Sequence, residues 1–225
     1  IPAIIAGVSE PILSLTDAAI VGHMPLNATV SLAAVGIVSS FLSMLIWVLG
    51  QSRSAISSII SQYLGADKLK EVKSLPAQAI AIILILSVLI CAATIPFSEA
   101  IFKFYNASGL LLDYSVDYYK IRIIGFPFTL YTFAVFGVFR GLQNTYHPMV
   151  IAIIGTAINI VLDLVLVYGI TNVIEPMSLK GAALASVLSQ ALMAIMATAL
   201  VLKNTPITLK IKGPINKELP KFLMM

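Results

Sequence analysis

Six long apolar runs dominate this sequence and restrict what the chain can fold into. Each run ends at turn-forming or charged residues, and together they cover approximately residues 2–22, 31–53, 76–97, 118–139, 148–169 and 181–202. About 20 helical residues cross a bilayer core of roughly 30 Å. Only 11% of the 225 residues are charged, against about 25% in soluble domains. We therefore predict an all-α membrane protein in which residues 1–203 form a bundle of six transmembrane helices.

The basic residues of the loops predict the orientation of the spans, because Lys and Arg are retained on the cytoplasmic side. With the amino terminus inside, nine of them fall in the inner loops and tail. Four fall on the outer side. Two of these, Lys120 and Arg122, lie at the outer end of the fourth span. Both termini are therefore expected in the cytoplasm. Pro206 and Pro214 interrupt helix formation after the sixth span, so we expect residues 204–225 to be a cytoplasmic linker towards a missing second lobe.

Acidic side chains inside the apolar runs are the strongest candidates for function. An ionised Asp at the centre of a spanning helix costs roughly 2.5 to 3.5 kcal/mol, so such residues face a cavity or a partner. Glu10 and Asp17 lie on one stripe of the first run, and Asp163 follows Asn159 by one turn in the fifth. Asp17 and Asp163 each lie about 7 to 8 Å beyond the midplane. Ser186 of the sixth run is at the same level, so these groups share one layer if their three helices are neighbours.

Such a layer of carboxylate, amide and hydroxyl oxygens has a definite chemistry. Desolvation and mutual repulsion favour a protonated carboxyl, and a hard cation such as Na⁺ is bound through oxygen ligands. The pattern therefore predicts a site that couples transport to H⁺ or a metal cation. Glu10, Pro11 and Gln190 are accessory candidates. The alternative is that Ser186, Gln190 and Asn159 only form hydrogen bonds between helices, which is their usual role in membranes.

Four stretches of the chain resemble a known family, the multidrug and toxic compound extrusion (MATE) transporters, in particular the branch that contains the DNA-damage-inducible protein F. The signature of that family's first helix is similar to LTDAAIVGH at residues 15–23. Its loop between helices four and five is similar to RGLQNT, which begins at Arg140 and is followed by Pro148. Its fifth and sixth helices are similar to residues 159–169 and 181–186. The order and spacing of the matches extend through nearly the whole chain.

The resemblance implies a twelve-helix antiporter of two six-helix lobes, of which this chain is the N-terminal half. Such a protein exports organic cations and amphipathic drugs across the bacterial inner membrane in exchange for H⁺ or Na⁺. In that family Asp17 corresponds to the acid tied to coupling, and Asn159, Asp163 and Ser186 to a cation site that takes Na⁺. The implied partners are the bilayer, a drug and the C-terminal lobe. We expect no enzymatic activity, no organic cofactor and no nucleic acid, since the basic residues do not line one polar face.

Three other functions compete with this interpretation of the sequence. A flippase for lipid-linked oligosaccharides would share the lobe architecture, but its pocket should collect several basic residues for pyrophosphate, and the spans offer little beyond Arg53. An aspartyl intramembrane protease needs a Gly-x-Gly-Asp site, which is absent around Asp163. A channel or structural subunit would pass ions without counter-transport.

Overall fold

The computed structural model describes residues 2–171, 173–209 and 219. In this part of the chain the regular elements are helices, accompanied by an isolated β-bridge between Ile170 and Ile174. Within the first helix the side chains of residues 3, 5–11 and 13 lie outside the description. The nine α-helices of the described part are α1 (Pro2–Gly22), α2 (Ala28–Gly50), α3 (Ser52–Gly65), α4 (Leu75–Thr94), α5 (Ser98–Phe104), α6 (Gly109–Arg122), α7 (Phe126–Gly141), α8 (Tyr146–Tyr168) and α9 (Ser178–Asn204).

The prediction of an all-α membrane protein is confirmed. Among the described residues, five helical stretches are long and apolar enough to cross a membrane: Ala28–Gly65, Leu69–Thr94, Gly109–Gly141, Tyr146–Tyr168 and Ser178–Asn204. Helix α1 has 21 residues and coincides with the first predicted span. Since a bilayer core needs about 20 helical residues, α1 completes a six-helix lobe.

The second span is longer than the apolar run that predicted it. Its weakly polar continuation forms α3, whose buried face consists of Ala55, Ile56, Ile59 and Ile60. This face packs against α7, where Gly137 lies so close to α3 that a Cβ atom there would come within 2.5 Å of the Arg53 carbonyl oxygen. Hydropathy averaged over both faces of a helix conceals such a one-sided apolar stripe. The weakly polar segment after the second apolar run therefore belongs to the packed bundle.

The fourth span also begins earlier than predicted. Helix α6 starts at Gly109 and continues through a 3₁₀ turn, Ile123–Gly125, into α7. Its first half carries Asp113 and Asp117, which lowered the local hydropathy and hid the helix from the sequence analysis. Pro127 lies at the start of α7, where a missing backbone N–H is tolerated. Arg122 therefore lies inside a continuous helical stretch of 33 residues.

Helices α1, α8 and α9 are neighbours, which is the arrangement that the predicted polar layer requires. The Tyr168 hydroxyl of α8 donates a hydrogen bond of 2.9 Å to the Ile20 carbonyl oxygen of α1. Gly181 of α9 lies directly against α8, since a Cβ atom there would be 2.4 Å from the Leu166 carbonyl oxygen. Small residues allow membrane helices to approach in this way. The three helices thus hold their polar side chains in one place.

Candidate cation site and its cavity

The structure brings together the four residues that the sequence singled out for cation coupling. Asp17 comes from α1, Asn159 and Asp163 from α8, and Ser186 from α9. Asp17 is 7% exposed, Ser186 is 1% exposed, and the two α8 side chains are fully buried. Buried polar groups in hydrocarbon surroundings are expensive unless they bind one another or a ligand. Their convergence from three helices is therefore the main polar feature of this side of the bundle.

Asn159 lies between the two carboxyl groups. With its amide nitrogen turned towards them, it donates to Asp17 Oδ1 at 3.0 Å and to Asp163 Oδ2 at 3.2 Å. This orientation follows from the chemistry of its neighbours, because carboxylate oxygens accept hydrogen bonds and cannot donate them. Through this amide the carboxyl groups of Asp17 and Asp163 are joined across two helices. Asn159, which bridges the two acids, and Asp163, which is one of them, thus lie one turn apart on α8.

One oxygen of the site is left without a partner. The Ser186 hydroxyl donates to Asp17 Oδ2 at 3.5 Å. Asp163 Oδ1 is buried and has no hydrogen-bond partner within the part of the chain that the structure describes. A buried acceptor without a donor costs about 1–3 kcal/mol, and more for a charged group. This oxygen is therefore suited to a proton or a hard cation, and the carboxylate, amide and hydroxyl oxygens around it are the donor set that such a cation prefers.

Asp17 also lines a cavity of about 240 Å³. Helices α1, α2, α6, α7 and α9 form its walls. Hydroxyl groups of Ser14, Ser39, Ser43 and Thr129 contribute to the lining, together with the indole of Trp47. A cavity with this polar lining can hold several water molecules. The cavity therefore gives water and small ions a place beside the Asp17 carboxyl.

Arg122 lines the same cavity, and the sequence analysis missed it as a site residue. It was counted with the outer loop charges, whereas its Nη1 donates a 3.0 Å hydrogen bond to Gln190 Oε1 on α9. Tyr118, one turn earlier on α6, lines the cavity together with Arg122. The signal in the sequence was a Tyr and an Arg one helical turn apart beside an apolar run. That signal is weak because the same spacing is common on exposed helices.

The accessory candidates have different outcomes. Gln190 lies in the cavity and binds Arg122, one turn from Ser186. The side chains of Glu10 and Pro11 lie outside the described residues, so their roles stay predictions.

A comparison with protein families gives the deciding observation. The sequence pattern of the MatE family matches residues 2–165, which is more than half of the chain. The chain belongs to the MATE family. Its match begins at the start of α1 and ends just after Asp163, so it includes Asp17 and both α8 residues of the site. Members of this family are membrane transporters.

Known MATE proteins agree with this assignment and extend beyond the chain. The DNA damage-inducible protein F of Escherichia coli is 28% identical over 191 residues, which cover 84% of this chain and 40% of the relative. The multidrug export protein MepA of Staphylococcus haemolyticus is 30% identical over 133 residues, 59% of this chain and 28% of the relative. The chain thus spans less than half the length of these relatives.

A solved structure shows that the fold is shared. A MOP superfamily transporter from Pyrococcus furiosus superposes with a TM-score of 0.84 at 23% identity, covering 99% of this chain and 48% of that one. At this level of identity the likeness concerns the fold alone. The bundle thus has the fold of about half of that structure.

Proposed function

We propose that this chain is the N-terminal lobe of a secondary active antiporter that exports organic cations and other amphipathic compounds in exchange for H⁺ or Na⁺. In this proposal a second lobe completes the substrate cleft, both termini of this lobe lie in the cytoplasm, and the membrane is a bacterial inner membrane. Family membership and the half-length matches support the architecture. The multidrug export protein MepA is a relative whose named activity fits the proposed substrates.

The buried bridge from Asp17 through Asn159 to Asp163 carries the proposal of coupling. It joins α1 to α8, and one of its ends opens on the cavity. Two ionised carboxylates held by one amide repel each other, so a proton or a cation on one of them stabilises the pair. The pair is therefore arranged to exchange a proton or a metal cation with the cavity. We propose that Asp17, Asn159, Asp163 and Ser186 together bind the coupling ion.

The Asn159 side-chain amide can face the two carboxyl groups with either its nitrogen or its oxygen. With nitrogen turned inward, it bridges the two carboxyl groups as described. With oxygen turned inward, its oxygen lies 3.0 Å from Asp17 Oδ1 and 3.2 Å from Asp163 Oδ2. Three oxygens that close repel one another unless a cation lies among them. A cation bound among the carboxyl groups would therefore favour an inward-facing amide oxygen, whereas the site without a cation favours the inward-facing nitrogen.

Occupancy of such a site would change how α1 and α8 are held together. An ion that binds one arrangement of the two helices better than another shifts the equilibrium between them. Each elementary charge that moves inward gains roughly 2.3 kcal/mol per 100 mV of membrane potential. In transporters built from two lobes, rocking of one lobe against the other exposes the cleft to each side in turn. The coupling ion would supply the free energy for export in this way.

Transport by the full-length protein in reconstituted vesicles tests the proposal. We expect addition of an organic cation such as ethidium to cause either a proton flux, reported by an enclosed pH-sensitive dye, or an uptake of radioactive Na⁺. The control is the same protein with Asp17→Asn and Asp163→Asn combined, which should accumulate normally and show neither flux. Substrate movement that proceeds downhill without any counter-flow would identify a channel or a uniporter and refute the antiport mechanism.

A further inference from the structure

We propose that Arg122 is a built-in counter-charge that sets the affinity of the Asp17–Asp163 pair for its coupling ion. The inference rests on the proposed function and adds a residue that lies outside the ion's own ligands. Arg122 is a positioning residue: its fixed positive charge opposes the binding of a second cation nearby. It thereby allows the coupling ion to leave again.

The geometry of the cavity supports this role. Arg122 and Asp17 line the same 240 Å³ space from two different helices, α6 and α1. Asp163 also lies within electrostatic range of the guanidinium. Among the described residues, neither carboxylate forms a direct ion pair with Arg122. The guanidinium therefore acts on the site across the cavity and leaves the ligand oxygens free.

Gln190 restrains the guanidinium through a hydrogen bond. Its Oε1 accepts the 3.0 Å hydrogen bond from Arg122 Nη1. The Gln190 side chain lies directly over Gly125, where a Cβ atom would be 2.1 Å from Oε1. The glycine thus leaves room for the amide that binds Arg122. Removing either the amide or this space would release Arg122 towards the carboxylates.

Removing the Arg122 charge and removing the Gln190 amide that restrains it should change the affinity for the ion in opposite directions. Between charges on the walls of a partly hydrated cavity, interaction free energies are on the order of one to a few kcal/mol, which corresponds to on the order of tenfold in affinity. Arg122→Gln should therefore tighten ion binding by about tenfold. Gln190→Leu should weaken it, because the freed guanidinium moves closer to the pair. The turnover of Arg122→Gln should fall, since tighter binding slows release.

The experiment measures ethidium export by the full-length protein in vesicles. The readout is the concentration of driving ion that gives half-maximal export, with Na⁺ varied at fixed pH and, separately, an imposed proton gradient varied without Na⁺. Arg122→Lys keeps the charge and should lie closer to the parent than Arg122→Gln does. Lys180→Gln is the matched control, because Lys180 is exposed and pairs with Asp117 at 3.0 Å outside the cavity.

Gly125→Ala provides an independent variant that alters no charge and no hydrogen-bonding group. It displaces only the flexible end of Gln190 and should raise the half-maximal concentration as Gln190→Leu does. In the double variant Arg122→Gln/Gln190→Leu, the effect of Gln190→Leu should disappear, since there is no guanidinium left to release.

The outcomes separate this inference from the proposed function. If Asp17→Asn abolishes ion-driven export while the Arg122 and Gln190 variants keep the parent's half-maximal concentration, the proposed function stands and the counter-charge role is wrong. Loss of folded protein with an unchanged half-maximal concentration likewise assigns Arg122 a purely structural role and overturns the inference. If Asp17→Asn retains ion-driven export, the proposed function fails and this inference falls with it.

Discussion

The Asn159 amide lies between Asp17 and Asp163 and, with its nitrogen facing them, is 3.0 Å from one carboxylate oxygen and 3.2 Å from the other. Two acids of different helices are thus joined by one neutral side chain that can both donate and accept hydrogen bonds. Removing an acid is expected to abolish coupling, whereas removing the bridging amide is expected to lower stability. The described residues supply a matched control for each change.

The first prediction concerns the acid that faces the cavity. Asp17→Asn should abolish drug resistance conferred by the full-length transporter, because an amide can neither release a proton nor contribute a negative charge to a cation site. The protein should still accumulate, since Asn has the shape of Asp: its oxygen can accept from Asn159 while its NH2 group donates to the Ser186 hydroxyl. Growth in the presence of drug, together with quantification of protein in membranes, measures both. Asp113→Asn, at an exposed position of α6, should retain full resistance. Normal resistance in the Asp17 variant would refute its coupling role.

The second prediction concerns the bridge. Asn159→Leu leaves two buried carboxyl groups without their shared donor, so we expect it to lower stability by about 1–3 kcal/mol. Thermal unfolding of the purified full-length protein in detergent measures this loss, and addition of Na⁺ should no longer raise the transition temperature. Asn204→Leu is the control, because Asn204 is exposed at the end of α9 and bonds only to its own helix. A melting temperature equal to that of the parent would show that the bridge is dispensable.

The third prediction separates two buried serines of α9. Ser186→Ala removes the hydroxyl that contacts Asp17 at 3.5 Å. The contact is long, so the half-maximal ion concentration for export should rise only about two- to fivefold. Ser189→Ala should leave it unchanged, because the Ser189 hydroxyl bonds to the backbone of its own helix at 3.0 Å. Equal effects of the two substitutions would indicate that the result comes from altered packing of α9. Ser186 would then have no role as a ligand.

The fourth prediction concerns the contact that holds α9 on α8. Gly181→Ala places a Cβ atom 2.4 Å from the Leu166 carbonyl oxygen and 2.6 Å from its carbon. Backbone atoms cannot move aside as a flexible side chain can, so the helices must separate at a cost of about 1–3 kcal/mol. We expect a lower melting temperature and weaker ion-driven export, since Ser186 moves away from Asp17. Gly36→Ala meets nothing within 4 Å and should be neutral or slightly stabilising. Indistinguishable melting curves for the two variants would contradict the close contact.

Much of the fold and of the site followed from local patterns. Apolar runs of about 20 residues predicted the spans, since a bilayer core imposes that length. The rarity of acids in such runs singled out Asp17 and Asp163, and helical spacing joined Asn159 to Asp163. Their common depth followed from counting residues at about 1.5 Å each. These properties belong to single helices and need no knowledge of their neighbours.

Other features depended on which helices touch. Hydropathy ended the second span at residue 53 and began the fourth at residue 118, leaving out most of α3 and the start of α6, because it averages over faces that differ in the packed bundle. It also counted Arg122 among loop charges, since nothing local reveals that Gln190 lies 3.0 Å away on another helix. In a membrane, helix contacts are selected by close packing of small residues and by hydrogen bonds between helices. For that reason the chain alone revealed the spans and their acids, whereas the packing of α1, α6, α8 and α9 determined that they form one site with an arginine beside it.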